Sequence, residues 1–338
     1  MRARARALWE RGSFLPALPW IGYAALVAVI DRPRWDIFFV AALATTAAYG
    51  GARVRRFYRA AIPAITLFVL YDALRYLWPV SVSASRVLGC ELRDVELVFF
   101  GVGVGNMIVT PNEWLAGLAN PTLDLLCALP YGAYLGIMAA QYTHLCVKKP
   151  DAARRFAQLA LGTHVVGFAT YLLLPAAPPW YVATHGCAID LAAHGSPAAL
   201  TRVDAWLGHG YFASLYGHGA VVFGALPSLH VTYPLYGLIT TFRTASAPSR
   251  ALQIAYALVM PFAAVYLGHH YVIDVVLGLA YVAIVYGLSL VVGEASFRQG
   301  AFDWPVADLS GSQSTSPVPR WSATKRLQTK SASLRRFR

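Results

Sequence analysis

An all-α integral membrane protein, a polytopic helical bundle of about eight spans, is the fold class this sequence predicts, and three observations predict it. The 338 residues are 57% hydrophobic and only 13% charged, with a mean hydropathy of +0.51, far from the mix of a soluble domain. The apolar residues gather into eight runs that approach the roughly 20 residues a helix needs to cross a bilayer. The basic residues collect on alternate connections between those runs, as cytoplasmic loops do.

Taken in order, MRARARALWERG lacks the small-residue cleavage site of a signal peptide and leads into a first run at 14–30 that stays in the membrane. Further runs lie at 37–51, 61–80, 123–146, 156–176, 229–243, 251–268 and 271–293, the second and sixth being short. With the N-terminus inside, the inner segments 1–13, 52–60, 147–155, 243–250 and 294–338 hold 22 of the 28 Lys and Arg. Both termini are then cytoplasmic and the span number is even. Residues 1–60 read as a basic segment with two spans, 61–293 as a six-span core, and 294–338 as a basic, Ser-rich disordered tail. A net charge of +12 spread over short loops facing one leaflet points to anionic headgroups and topology, and to no nucleic acid.

Two outer segments are not read as spans. Residues 81–122 surround a Gly-rich apolar piece, Leu97 to Thr110, that lies along the interface or re-enters. Residues 177–228 form a long polar connection with little helical periodicity, and connections of that length are often functional. Cys90 and Cys187 fall on these two segments, where an oxidising compartment permits a disulfide.

The topology brings three sequence features to one face: APPWY (177–181), PSLH (227–230) and HHYVID (269–274). His270 and Asp274, four apart at the start of a helix, share a side, so the carboxylate can orient the imidazole and leave its other nitrogen free to attack. His230 follows a Pro-Ser pair, Pro227 and Ser228, that reads as a capped helix start favouring an anion. There a second histidine can protonate a leaving alkoxide and later deprotonate an acceptor hydroxyl. These pieces describe phosphoryl transfer through a phosphohistidine, with no metal and no cofactor. His269 and Asp274 are metal-ligand types, but adjacent histidines diverge by about 100° on a helix and no carboxylate cluster accompanies them. His144 and His164 read as packing residues, and His185, His194, His209 and His218 as loop residues.

PSLH and HYVID resemble the second and third signature motifs of the type 2 phosphatidic acid phosphatase superfamily, most closely its fungal inositol phosphorylceramide synthase branch. The resemblance covers APPWY, Leu200 to His230, and YLGHHYVIDVVLG. It implies His270 as nucleophile, Asp274 as its partner and His230 as acid and base; the flanking Pro227, Ser228, His269 and Tyr271 are candidate substrate contacts. Phosphatases of the group carry Lys-x6-Arg-Pro and an Arg six positions before the nucleophile. Here that position is Ala264, and the outer face has no such motif. The departure favours a lipid transferase over a hydrolase and leaves Arg75, Arg93 and Arg202 as outer cations. Arg75 can pair with Asp72 or bind a headgroup, and Trp180, Tyr181 and Trp206 suit the interface. The expected reaction moves a phosphoinositol-type headgroup from a phospholipid donor to a ceramide-like acceptor, on the non-cytoplasmic face of a bacterial inner or Golgi-type membrane. A lipid-phosphate or polyprenyl-diphosphate phosphatase is the alternative. A proton-relay transporter would show repeated or broken helices, which the sequence lacks.

Overall fold

The computed structural model describes residues 16–31, 33–217 and 219–299, with side chains through residue 291. The basic N-terminus at 1–13, Arg32, His218 and the tail at 300–338 lie outside the described residues.

Each of the eight apolar runs is helical. α1 (Leu18–Ile30), α2 (Trp35–Tyr49) and α3 (Ala52–Ser81) come first. α6 (Pro121–Lys148) and α7 (Pro150–Leu173) follow the first long connection; α11 (Tyr233–Thr241), α12 (Ala247–Tyr266) and α13 (Val272–Gln299) follow the second. Four of them, α3, α6, α7 and α13, are long and apolar enough to cross a membrane. α1 and α2 are shorter, with 13 and 15 residues, and α11 has nine after a 3₁₀ turn at His230–Thr232.

The basic stretch 52–60, expected as a connection, forms the opening turns of α3, because Arg is a good helix former whose long stem lets the charge reach water. α6 and α7 each begin at a proline, whose missing N–H costs nothing in the first turn. Asn120 caps α6 by accepting the Leu123 N–H.

α6, α7, α11, α12 and α13 pack against one another, α3 lies on α7, α2 lies on α3, and α1 lies on α2. A polar knot joins that outer pair to α3. Asp72, almost fully buried, accepts from Tyr23 Oη at 2.7 Å and from Arg34 Nη1 at 2.6 Å.

The two long connections are more structured than their sequences suggest. Between α3 and α6 lie α4 (Cys90–Phe100), a hairpin of β1 (Val102–Val104) and β2 (Met107–Val109), and α5 (Pro111–Ala116). The apolar piece Leu97 to Thr110 is therefore a helix end plus a hairpin. Gly105, at φ +59° in the two-residue turn, supplies the left-handed conformation such a turn needs. The second connection holds α8 (Pro179–His185), α9 (Thr201–Leu207) and α10 (Tyr211–Gly217), each of seven residues and too short to display a helical period.

Candidate active site

Both connections fold over one end of the bundle, where three extended stretches meet. Leu88 N–H donates to Pro175 O, Ala177 N–H to Leu88 O, Ala176 N–H to Phe223 O and Ala225 N–H to Ala176 O, at 2.8 to 3.2 Å. This short ladder fixes the PSLH loop between the two connections, and the Cys90–Cys187 disulfide, with Cα atoms 5.2 Å apart, ties them again nearby. The bridge that the sequence permits is present.

PSLH also leans on α13. A Cβ on Gly278 would stand 2.2 Å from Ser228 O, so only glycine lets the loop approach this closely. Ser228 N–H donates to Asp274 O at 2.9 Å. Ser228 does not cap the following turn as its position suggested: its hydroxyl is buried without a partner among the described residues. Pro227 contributes its carbonyl, which accepts from Tyr171 Oη at 3.1 Å.

After α12 the chain turns at Gly268, φ +74°, and presents His269 and His270 before α13 begins. His270 therefore precedes the helix, and the expected same-side argument does not hold in that form. The two residues meet because the Asp274 side chain turns back over the helix start. Its Oδ2 accepts the Tyr271 N–H at 2.7 Å and lies 3.6 Å from His270 Nδ1. The closer acceptor for Nδ1 is the Ala225 carbonyl at 2.9 Å. A carbonyl only accepts, so Nδ1 carries the proton and Nε2 keeps its lone pair. That lone pair faces His230 Nδ1 at 3.1 Å.

An aromatic stack walls the pair. Tyr131 lies parallel to His230 at 4.4 Å and to His269 at 5.2 Å, and Tyr216 covers His269 at 4.6 Å. Burial pushes the His269 imidazole down to about 3, so this ring is a neutral, apolar-walled group with its Nε2 unpartnered among the described residues. His269 turns toward the tyrosines and Asp274 toward His270, so these two do not converge as metal ligands would.

Two residues that sequence reasoning passed over hold the His270 stretch from the other side. Asn112, at the start of α5, donates through Nδ2 to His270 O at 2.8 Å and to Val265 O at 2.7 Å. Glu96 on α4, with no exposed surface, accepts the Val272 N–H on Oε1 at 2.8 Å and the Ile273 N–H on Oε2 at 3.1 Å. These are first-turn N–H groups with no partner inside the helix. Left unmet, each would cost about 1–3 kcal/mol.

Other expected site residues lie elsewhere. Asp72 is engaged in the α1–α3 knot, with Arg75 at 3.9 Å from it. Arg202 forms a fork on Asp124, Nε and Nη2 reaching it at 2.6 to 3.0 Å, and Tyr266 Oη joins at 2.8 Å. Arg93 pairs with Glu113. Arg93 and Arg202 are each hydrogen-bonded to an acid, so neither stands as a ready phosphate cation. Tyr181 is fully buried, its hydroxyl donating to Ala188 O and accepting the Asp190 N–H; it braces the second connection and does not face an interface. Tyr271 is packed against Leu92, Ala176, Ala225 and Leu226. Trp180 is half-buried and anchors its N–H on Gly268 O at 3.0 Å, while Trp206 is exposed. His164 is a packing residue, bonded to Ala160 O and Tyr233 Oη.

Residues 106–288, which carry His230, His270, Asp274, the PSLH loop and the Asn112 grip, match the sequence profile of the PAP2 superfamily. The chain belongs to the PAP2 superfamily. Among PAP2-type relatives, the phosphoinositol dihydroceramide synthase of Bacteroides thetaiotaomicron is 31% identical over 285 residues, 81% of this chain and 92% of that protein. The inositol phosphorylceramide synthase of Candida albicans is 27% identical over 66% of this chain and 46% of its own length. For the inositol phosphorylceramide synthase catalytic subunit of Saccharomyces cerevisiae the figures are 29%, 68% and 56%. The chain thus spans about half the length of these fungal relatives. No solved structure matches it.

Proposed function

We propose that this membrane phosphotransferase moves a phosphoinositol headgroup from phosphatidylinositol to the primary hydroxyl of a ceramide-type lipid through a phosphohistidine on His270. The observation that carries the reading is the facing pair: His230 Nδ1 and His270 Nε2 are 3.1 Å apart, with the single ring proton of His270, on Nδ1, committed to Ala225 O. In the first step the donor phosphorus enters between the rings. His270 Nε2 forms the P–N bond, the P–O bond to diacylglycerol breaks, and His230, entering this step as the imidazolium and leaving it neutral, gives a proton to the departing oxygen. In the second, His230 removes the proton of the acceptor hydroxyl, the new P–O bond forms, the P–N bond breaks and His270 is restored. Asp274, 3.6 Å from Nδ1, stabilises the positive charge that His270 gains on attack. The unpartnered Ser228 hydroxyl is the donor this mechanism assigns to the phosphoryl oxygens.

Transfer rather than hydrolysis is supported by the similarity to the Bacteroides thetaiotaomicron enzyme over most of both chains and by the burial of His270 and Asp274, which keeps bulk water from the intermediate. The pairing of Arg93 and Arg202 with acids points the same way, since a phosphomonoester carries more charge than a phosphodiester and would need freer cations. A site on the non-cytoplasmic face of the membrane, as the distribution of Lys and Arg predicts, completes the reading. The test supplies purified protein with labelled phosphatidylinositol, with and without ceramide, and separately with phosphatidic acid. Formation of the inositol phosphodiester of ceramide is expected, with slow turnover of phosphatidic acid. Rapid release of inorganic phosphate without transfer to any alcohol would assign the chain to the phosphatases.

A further inference from the structure

We propose that the α4–α5 segment is a clamp that sets the position of His270, with Glu96 and Asn112 as its positioning residues and the Cys90–Cys187 disulfide as the latch that keeps it closed. The inference rests on the reading of His270 as the nucleophile. Four observations carry it. His270 and Tyr271 belong to no helix, so their backbone needs outside support. Asn112 Nδ2 takes the His270 carbonyl at 2.8 Å, while the Glu96 carboxylate takes the N–H groups of the two residues after Tyr271. One grip lies at the nucleophile and the other two and three residues beyond it, so the intervening backbone cannot rotate without breaking one of them. Both side chains are buried, Glu96 at 0% exposure and Asn112 at 7%.

The latch follows from the chain path. Cys90 is the first residue of α4 and Glu96 sits less than two turns later on the same helix, so the bond to Cys187 fixes the end of the helix that carries the carboxylate. The Thr110–Glu113 capping box in turn fixes the start of α5, where Asn112 sits. Burial raises the Glu96 carboxyl while the two N–H groups oppose that rise, consistent with a group whose bonds, and not its solvation, keep it in place. Neither residue touches His230 or the ring nitrogens of His270. Their effect on the reaction is on where the imidazole stands, and a displacement of about 1 Å can cost roughly a hundredfold in rate.

The test measures kcat and KM for donor and acceptor lipids, per folded protein, in wild type, Glu96→Gln, Glu96→Asp, Asn112→Ala, Cys90→Ser with Cys187→Ser, and His270→Ala. Glu96→Gln retains one acceptor oxygen of two and is expected to lower kcat 10- to 100-fold with KM within twofold. Glu96→Asp, which keeps the charge on a shorter arm, should recover part of the loss. Reduction of the disulfide in purified wild type should lower kcat in the same way and speed amide exchange in the 270–275 peptide, and the Cys pair variant should no longer respond to reductant. A purely structural role would lower the yield or melting temperature and leave kcat per folded protein unchanged, which would overturn the proposal. If Glu96→Gln does not accumulate, reduction of the wild-type protein decides by the same readouts. Activity in His270→Ala would instead bring down the phosphohistidine reading, so the two failures are distinguishable.

Discussion

At the scale of single residues, the arrangement divides the labour around His270 between a backbone group and a carboxylate. Ala225 O holds the Nδ1 proton and Asp274 supplies charge from 3.6 Å. His270→Ala should therefore abolish transfer while the protein still inserts and folds, and residual turnover above a few per cent in a lipid-product assay would remove it as nucleophile. Asp274→Asn keeps an oxygen for the Tyr271 N–H but loses the charge, so kcat should fall roughly 10²-fold with little change in melting temperature. A loss below tenfold would leave Asp274 as a helix cap alone. The imidazoles and the aspartate could be read from residue type and spacing. The Ala225 carbonyl could not, because every residue has one and only the fold says which is aimed at a ring. Glu96 and Asn112 were hidden for a related reason: they act on backbone, so no spacing to His270 announces them. The one visible signal was Thr110-x-x-Glu113, a capping-box pattern marking a helix start beside Asn112.

Among elements, the close pass of the PSLH loop over α13 makes the sharpest demand. Gly278→Ala puts a methyl where Ser228 O already lies, so the loop or the helix must move, at a cost of about 1–3 kcal/mol. The loop carries His230, so transfer should fall with stability. Gly287→Ala, on the same helix with open space around it, should change neither, and equal effects of the two in a thermal melt and a transfer assay would show that the contact is not tight. The long apolar helices were legible because composition alone dictates a helix in lipid. The hairpin at Val102–Val109 was not, since two three-residue strands around Gly105-Asn106 give no period to detect. Nor was the precapped start of α13, where the grip comes from a carboxylate 176 positions before the N–H it accepts.

For the molecule as a whole, the structure separates a peripheral pair of helices from the bundle that holds the site. Asp72→Asn should weaken the union of α1 and α2 with α3, lowering the melting temperature in detergent by an amount equivalent to about 1–3 kcal/mol. KM for the lipid donor should stay the same; a large rise in KM would return Asp72 and Arg75 to the headgroup. The bundle has a further consequence, which concerns how the protein is made. The ladder at one end draws on residues 88, 176 and 224, and its product, an oriented Ala225 carbonyl, has nothing to act on until His270 has been synthesised and brought beside it. A nascent chain that ends before His270 carries Glu96, Asn112, the ladder residues and His230 but lacks the proposed nucleophile, so it should stay silent toward the lipids around it throughout its own insertion. Cutting the chain in the connection between α11 and α12, at residues 243–246, should yield two fragments that are each inert and regain transfer when co-expressed. Turnover by the N-terminal fragment alone would show that assembly of the site does not wait for the last described helix.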